Sequence, residues 1–478
     1  MRRQLGGYNN TAASCRDLFI SAGMDHTCVI LQNGGVTCWG DNTAGQLGLG
    51  HSYTVGTGQL PYMMASLSAV DLGSDAKAVA ISCGGWRSSC AAFDDGVLKC
   101  WGKCQRGKLG NLCTQDLGDD PGEMGTSLPV TNMGAGRLAK GVTQGNDHTC
   151  ALLDPGDVKC FGRGGWGLGY DSPDSLGSTA ATLGDNLPAI FLGTGRHALA
   201  VSNGRHHTCA LLDNGGVICW GLGNFGQLGN GGTSNVGAVS GDMAAIVELS
   251  LGGPAAAISV GHFYGCALLV CGDVKCWGRN TKGQLGYDNT QTRNTPGPSV
   301  NLGGTSIAIA ASTHSDHGHT CAILADLSST SGDLKCWGFN DKGQLGYDHT
   351  NNAGDGQGGS VQMSNLGTVN LGTGRKAYAV AAGTSHTCAL LLEIGGIAEV
   401  KCWGEGTYGA LGYDSPGNVG DGLGVLMSNL PAVSLAHQPR FGCSDPLPSP
   451  PPPTPSPPPP TPPPPGPPRS EEHTSELQ

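Results

Sequence analysis

The sequence predicts an all-β fold, a seven-bladed β-propeller of four-stranded antiparallel blades, on three observations. Glycine supplies 82 of the 478 residues and charged residues only 13%, which excludes coiled coils, helical bundles and solvated charged polymers. A long motif recurs seven times along the chain. Its apolar runs are short and separated by Gly, Asn and Asp, as strands joined by tight turns are. Hydrophobic residues at 38% allow a core, although aromatics are only 5%. The formal net charge is −11, and no basic run is concentrated enough for a nucleic-acid groove or an anionic membrane surface.

The motif reads His-Thr-Cys, a short apolar run, a Gly turn, then Cys-Trp-Gly, as in HTCVILQNGGVTCWG from His26 to Gly40 and HTCALLDNGGVICWG from His207 to Gly221. Its second cysteine falls at 38, 100, 160, 219, 276, 336 and 402, a period of 57 to 66 residues. Gly-Gln-Leu-Gly or a close variant usually follows, as at 45–48, 226–229, 283–286 and 343–346. A fixed long period marks solenoids and propellers, in which each repeat is one supersecondary unit. In the repeat that contains Cys219, four strands are expected: Leu187–Gly193, Ala198–Ser202, Thr208–Leu212 and Val217–Trp220. Asn33-Gly34 and Asn214-Gly215 supply the positive φ values of a tight hairpin between the last two. Four strands repeated seven times make one propeller rather than seven domains.

The chain ends refine this expectation. The first repeat opens on its second strand, Asp17–Ser21, and a spare first strand, Leu430–Leu435, stands at the other end. Completing the first blade with the C-terminal strand closes the ring and removes its exposed edges. Cys15 precedes the first strand and Cys443 follows the last, so the two are expected to bond and staple the ring, giving a propeller over 1–443. Residues 444–468 are rich in proline and predict an extended polyproline tail. The final RSEEHTSELQ, 469–478, resembles the translation of a sequencing-library adapter and is set aside as an assembly artefact.

Twenty cysteines point to an oxidising compartment. Fourteen fall as one pair per repeat: Cys28 and Cys38, Cys90 and Cys100, Cys150 and Cys160, Cys209 and Cys219, Cys266 and Cys276, Cys321 and Cys336, Cys388 and Cys402. A hairpin places such partners on adjacent antiparallel strands, ~4.5–5.5 Å apart at Cα, which suits a disulfide. Each closed loop of about ten residues adds roughly 2–3 kcal/mol in the chain-entropy model. Zinc is the competing reading, because His207 and Cys209 share one face of a strand. The cysteines persist in every repeat, however, while Ser88 and Tyr264 replace the histidine in repeats two and five. A ligand should not vanish while its partners stay, so disulfides are expected and no metal. Cys104 and Cys113 frame a loop short enough to bond, whereas Cys83 and Cys271 have no evident partner. There is no run of about 18 apolar residues to span a membrane. MRRQLGGYNN holds no signal-peptide core, so the export signal is expected upstream of this fragment.

The His-Thr-Cys-Ala-Leu, Gly-x-Val-x-Cys-Trp-Gly and Gly-Gln-Leu-Gly motifs resemble the repeats of the regulator-of-chromosome-condensation family over roughly residues 15 to 443. The resemblance implies the same seven-bladed propeller. The paired cysteines depart from the nuclear members and are similar to secreted bacterial and algal versions and to crinkly-type ectodomains of plant receptor kinases. The Ser-Pro-Pro-Pro-Pro tail resembles the hydroxyproline-rich rods of green-algal wall and matrix glycoproteins. What this implies is a secreted or cell-wall binding or structural module, a monomeric propeller with protein or glycan partners. The alternative is a cytoplasmic exchange-factor-like regulator of a small GTPase, after the founding member. That member's active loops and wedge are not matched residue by residue here.

No Gly-x-Ser-x-Gly elbow, phosphate loop or dinucleotide fingerprint occurs, so neither catalysis nor a cofactor is expected. Residues that recur from unit to unit read as scaffold, including the six tryptophans of Cys-Trp-Gly and the five histidines of His-Thr-Cys. Function is expected where the pattern breaks. One break, Thr313–Thr320, gathers His314, Asp316, His317 and His319; zinc or copper is one reading and a solvated loop the other. A second is the Asp/Asn-rich loops Tyr347–Asp355 and Tyr413–Asn418, where turn chemistry accounts for residues that otherwise suggest calcium. The third is a basic and aromatic patch in repeat two: Trp86, Arg87, Lys103, Arg106 and Lys108.

Overall fold

The computed structural model describes residues 19–439 apart from 74, 314–317, 326–330 and 393–397. Among these residues every long element is a strand, and the only helical pieces are short 3-10 turns. The strands form seven consecutive three-stranded meanders. They are β1–β3 (Ile20–Ala22, His26–Ile30, Val36–Gly40), β4–β6 (Ala78–Gly84, Ser88–Phe93, Leu98–Gly102) and β7–β9 (Ala139–Gln144, His148–Leu153, Asp157–Gly162). Next come β10–β12 (Ala198–Asn203, His207–Leu212, Val217–Gly221) and β13–β15 (Ala255–Val260, Tyr264–Leu269, Val274–Gly278). The last are β16–β18 (Ser306–Ala311, His319–Ala325, Gly332–Gly338) and β19–β21 (Lys376–Ala382, His386–Leu392, Ala398–Gly404). All pairings within them are antiparallel. Five meanders are separate sheets, and the last two join through a single Gly332–Ala377 pairing into one sheet of six.

The expected fourth strand is not a strand. Leu187–Gly193 runs extended, and its Ile190 N–H donates to the Val158 carbonyl of the meander before it. The same single bond recurs from Val70 to Val36, Thr131 to Leu98, Leu249 to Val217, Val300 to Val274, Val369 to Leu334 and Val433 to Val400. Each meander thus carries an outer extended segment that follows it in sequence rather than precedes it. Prolines 129, 188, 298 and 431 remove ladder donors from four of these segments.

Closure differs in the same way. Leu430–Leu435 lies on β21, and the first meander has its own outer segment at Val70. The C-terminal stretch reaches the first meander a few residues later, where the Gln32 N–H donates to the Gln438 carbonyl and Leu31 bridges Pro439. In the second meander the equivalent acceptor is Lys77, just ahead of β4, bonded by Asp94. The C-terminal residues therefore supply the start of the first meander's leading strand, not an added outermost one. Cys15 and Cys443 lie outside the described residues.

The leading strands β1, β4, β7, β10, β13, β16 and β19 surround one cavity of about 180 Å³, to which each contributes one apolar residue of the series Ile20, Ile81, Val142, Val201, Ile258, Ile309 and Val380. Hydroxyls tie neighbouring leading strands together. Ser21 accepts from the Cys83 N–H at 2.9 Å, Ser82 from Gln144 at 3.0 Å, Thr143 from Asn203 at 3.1 Å, Ser202 from Val260 at 3.0 Å and Ser259 from Ala311 at 2.9 Å. Further out, six fully buried tryptophans fill the junctions between meanders. The Trp101 indole donates to the Gln46 carbonyl in the preceding Gly-Gln-Leu-Gly turn at 3.0 Å. Gly48 closes that turn at φ +69, and a Cβ there would stand 2.9 Å from Trp101 Nε1, so both the backbone conformation and the indole require glycine.

Candidate functional site

Hairpin register decides the cysteines. In every meander the two sulfur-bearing residues pair directly across the second and third strands, as Cys28 with Cys38 and Cys209 with Cys219. Disulfides join Cys28–Cys38, Cys90–Cys100, Cys150–Cys160, Cys209–Cys219, Cys266–Cys276, Cys321–Cys336 and Cys388–Cys402. Cys104 and Cys113 form another, with Cα atoms 6.0 Å apart. Cys83, buried, and Cys271, exposed, are free thiols. Among the described residues one group of His, Cys and acidic side chains is tight enough for a metal: His26, Cys28 and Cys83. Cys28 is bonded to Cys38, and a disulfide sulfur is a poor ligand beside a thiolate.

The histidines of His-Thr-Cys reach across to the next meander. His26 Nε2 lies 3.1 Å from Ser89 Oγ, His148 Nε2 3.0 Å from Thr208 Oγ1, His319 Nε2 2.7 Å from Thr387 Oγ1, and His386 Nε2 3.0 Å from Thr27 Oγ1. Burial holds them neutral, pushing His148 down to about 4 and His26, His319 and His386 to about 3. Where the histidine is missing, other side chains span the gap. Gln144 donates to Ser88 at 3.2 Å, and the Tyr264 hydroxyl donates to the His319 carbonyl at 2.6 Å. In the fifth meander Gly265 stands at the threonine position of the motif, and neither ring nitrogen of the buried His207 has a hydrogen-bond partner.

The Asp-rich loops are also occupied with backbone. Asp348, Asp414, Asp288 and Asp171 sit at φ between +50 and +55. Their carboxylates accept from Met427, Met64, Met363 and Met243 N–H groups of a neighbouring meander, at 2.8–2.9 Å. This is turn chemistry used as an inter-repeat stitch. Residues 314–317 lie outside the described residues, while His319 is buried in the wall beside Thr387.

One rim of the molecule breaks the pattern. In each meander the loop between the first two strands bonds the residue that follows the third, as the Lys103 N–H to the Arg87 carbonyl, Arg163 to Asp147 and Arg279 to Phe263. Side chains from both loops therefore share a surface. Arg87 pairs with Asp41 at 2.9 Å, Lys103 with Asp116 at 2.9 Å, and Arg106 and Arg163 with Asp147 at 3.6 and 3.4 Å. The Arg163 guanidinium lies 4.3 Å over Trp166, which stacks 4.3 Å from His206. Arg205 stands 5.5 Å over Phe263, and Arg279 stands 4.9 Å over Phe225. Burial and the cations around them, Arg205 foremost at His262, drive the His262 imidazole down to about 3 and keep it neutral.

The patch expected in repeat two is thus one end of a longer basic and aromatic arc over meanders two to five. Lys108 does not belong to it. It is 1% exposed, its Nζ meets the Trp86 carbonyl, and burial pushes it down to about 7. The residues that extend the arc, Arg163, Trp166, Arg205, Phe225, Phe263 and Arg279, occupy the variable positions before His-Thr-Cys and after Cys-Trp-Gly. Comparing those two columns across the repeats was the available signal. On the first and seventh meanders the rim turns acidic: burial, Asp41 and Glu405 push the Asp25 carboxyl up to about 7.

Comparison with known proteins agrees with this architecture. The pattern of the Regulator of chromosome condensation (RCC1) repeat matches residues 19–46, 197–227 and 255–284 in one form and 33–91 and 272–323 in another. The chain is 27% identical over 384 residues to the human E3 ubiquitin-protein ligase HERC2, covering 80% of this chain but spanning only 7% of that protein's length. It is 27% identical over 345 residues to the ultraviolet-B receptor UVR8 of Arabidopsis thaliana, 70% of this chain and 68% of the receptor. A crystal structure of yeast RCC1 (Prp20) with Kap60 superposes with a TM-score of 0.61 at 18% identity, over 91% of this chain and 89% of the other. That likeness is one of fold.

Proposed function

We propose that this chain, built of RCC1 repeats, is a non-catalytic binding or structural propeller of the cell surface, extracellular matrix or wall. The seven meanders with their outer segments are read as seven four-membered blades over 1–443. Residues 444–468 are read as a stiff proline-rich stalk of the kind found in algal wall proteins, and 469–478 as no part of the folded protein. The observation that carries the reading is the cysteine pair at one equivalent place in all seven meanders. A reducing cytosol does not maintain such a set. The basic and aromatic arc on the rim is the surface offered to a protein or glycan partner, since Trp and Arg are the residues that dominate binding hot spots.

The cytoplasmic exchange-factor reading has only the fold likeness to yeast RCC1 in its favour, and it leaves the disulfides without a purpose. Two measurements separate them. Produced in an oxidising compartment the chain is expected to fold and stay monomeric, and in a reducing cytosol to accumulate unfolded. Equal yield of folded, fully reduced protein from the cytosol defeats the extracellular reading. Nucleotide release from small GTPases is expected to be unstimulated, and stimulation would favour the exchange factor.

A further inference from the structure

The junction of the first and second meanders holds a group of atoms found at none of the other described junctions. Cys83 lies on β4 opposite Ser89, and Ala22, Gln144, Asn203, Val260, Ala311 and Ala382 take its place in the other meanders. The thiol is 3% exposed, and its Sγ lies 3.3 Å from the Ser21 carbonyl of β1. Cys83 Sγ, Cys28 Sγ and a ring nitrogen of His26 all lie within 4.8 Å of one another. The Ser89 hydroxyl stands among them, 3.1 Å from His26 Nε2 and 3.9 Å from Cys28 Sγ, and also hydrogen-bonds Cys83. A free thiol is therefore packed against one half of an existing disulfide that belongs to the neighbouring meander.

We propose that this cluster is a covalent exchange site, at which Cys83 displaces Cys38 from Cys28 and converts a bridge within the first meander into one between the first and second. The Cys83 thiol gives up its proton to solvent base. The thiolate attacks Cys28 Sγ, the Cys28–Cys83 bond forms as the Cys28–Cys38 bond breaks, and Cys38 leaves as a thiolate that takes up a proton. One thiol and one disulfide stand on each side, so the step needs no oxidant or reductant. The two sulfurs, within 4.8 Å of each other, must close to about 2 Å.

The surroundings restrain the exchange. Burial pushes the Cys83 thiol up to about 12, the hydrogen bonds from Ser21, Cys28 and Ser89 offsetting only part of it. The ionisable group facing it from β2 is His26, which burial and Lys108 hold neutral near 3. The fraction of thiolate then rises about tenfold for each pH unit below that pKa. The product would tie two meanders covalently at a junction that hydrogen bonds and packing otherwise hold.

The test follows the labels. Intact, unreduced protein is held at pH 7 and pH 9, acid-quenched, denatured, alkylated and mapped by peptide mass. At the start Cys83 carries the label and Cys38 does not. At pH 9 a labelled Cys38 and a linked Cys28–Cys83 peptide are expected to accumulate, on the order of 100-fold faster than at pH 7. In Cys83→Ser, Cys38 is expected to stay unlabelled. The proposal is overturned if the wild-type protein at pH 9 yields no Cys28–Cys83 peptide. It is equally overturned if Cys38 becomes labelled in Cys83→Ser, or if Cys83 pairs as readily with Cys271.

Discussion

The Trp39 indole donates a 2.9 Å hydrogen bond to the carbonyl of Ala410, 371 residues away. It joins the first meander to the seventh by the contact that joins Trp101 to Gln46 and Trp403 to Gln344 within the series. Thr27 Oγ1 reaches the same carbonyl at 3.1 Å, and the Thr384 N–H donates to the Gly23 carbonyl. The ends of the series are thus held by the same bonds as its middle.

Trp39→Phe keeps most of the packing and removes one donor to a buried carbonyl. Because the carbonyl keeps Thr27 as a donor, the expected loss is about 0.5–1.5 kcal/mol, read by denaturant unfolding. The third meander supplies the precedent, because Phe161 stands where the others have Trp. Trp39→Ala also opens a cavity and is expected to cost about 3–5 kcal/mol. An unchanged stability in Trp39→Phe would refute the hydrogen-bond component, and equal losses for the two variants would refute the cavity component.

Lys159 buries its ammonium against two carbonyls, Met133 and Gly184, both at 2.8 Å. Lys99 and Lys401 hold the equivalent carbonyls of Leu72 and Leu371. Lys159→Met leaves both acceptors without that donor and is expected to destabilise by roughly 1–3 kcal/mol, seen as a lowered unfolding midpoint at unchanged slope. A neutral outcome would mean that water replaces the ammonium.

Acid is expected to weaken the fold. His26, His319 and His386 fall to about 3 in the folded chain, and His148 to about 4, from an ordinary 6.5. Between those values the unfolded chain binds protons that the folded chain refuses, so stability drops as pH falls from 6.5 toward 3. Asp25 acts with the opposite sign. Its folded value is about 7 against 3.8, so its contribution is full below 3.8 and is lost as pH rises through 7. Thermal scans are expected to show lower midpoints at pH 5 than at pH 7.5. Asp25→Asn is expected to gain stability at pH 8 and little at pH 4; the reverse order would refute the raised value.

Arg163 is 35% exposed and shared between Asp147 and the Trp166 ring. Asp147 is only 3% exposed but keeps Arg106 as a second cation at 3.6 Å, so the half-exposed Arg163 and its cation–π contact each contribute at most about 1 kcal/mol. Arg163→Ala is therefore expected to change stability by less than about 1 kcal/mol while removing a cation from the rim. A loss above about 2 kcal/mol would make the arc structural rather than a contact surface.

The hairpins were legible in the sequence because Asn-Gly turns and evenly spaced cysteines fix both register and loop length locally. The outer segment was legible as an extended run but not as to its owner. Leu187–Gly193 looks the same whichever meander it joins, and only the Ile190 to Val158 bond decides. The arc was half legible. Trp86 and Arg87 stand together in sequence, whereas Arg279 and Phe225 meet only through the ring. Lys108 misled because a lysine between glycines and polar residues reads as solvated, and nothing local shows that the Trp86 carbonyl receives it.

Thiol titration of the denatured, unreduced protein reads the hairpin disulfides themselves. The fourteen hairpin cysteines and the Cys104–Cys113 pair are expected to stay silent, with Cys83 and Cys271 reacting among the described residues. Reaction of most of the fourteen, in protein never exposed to reductant, would contradict that pairing.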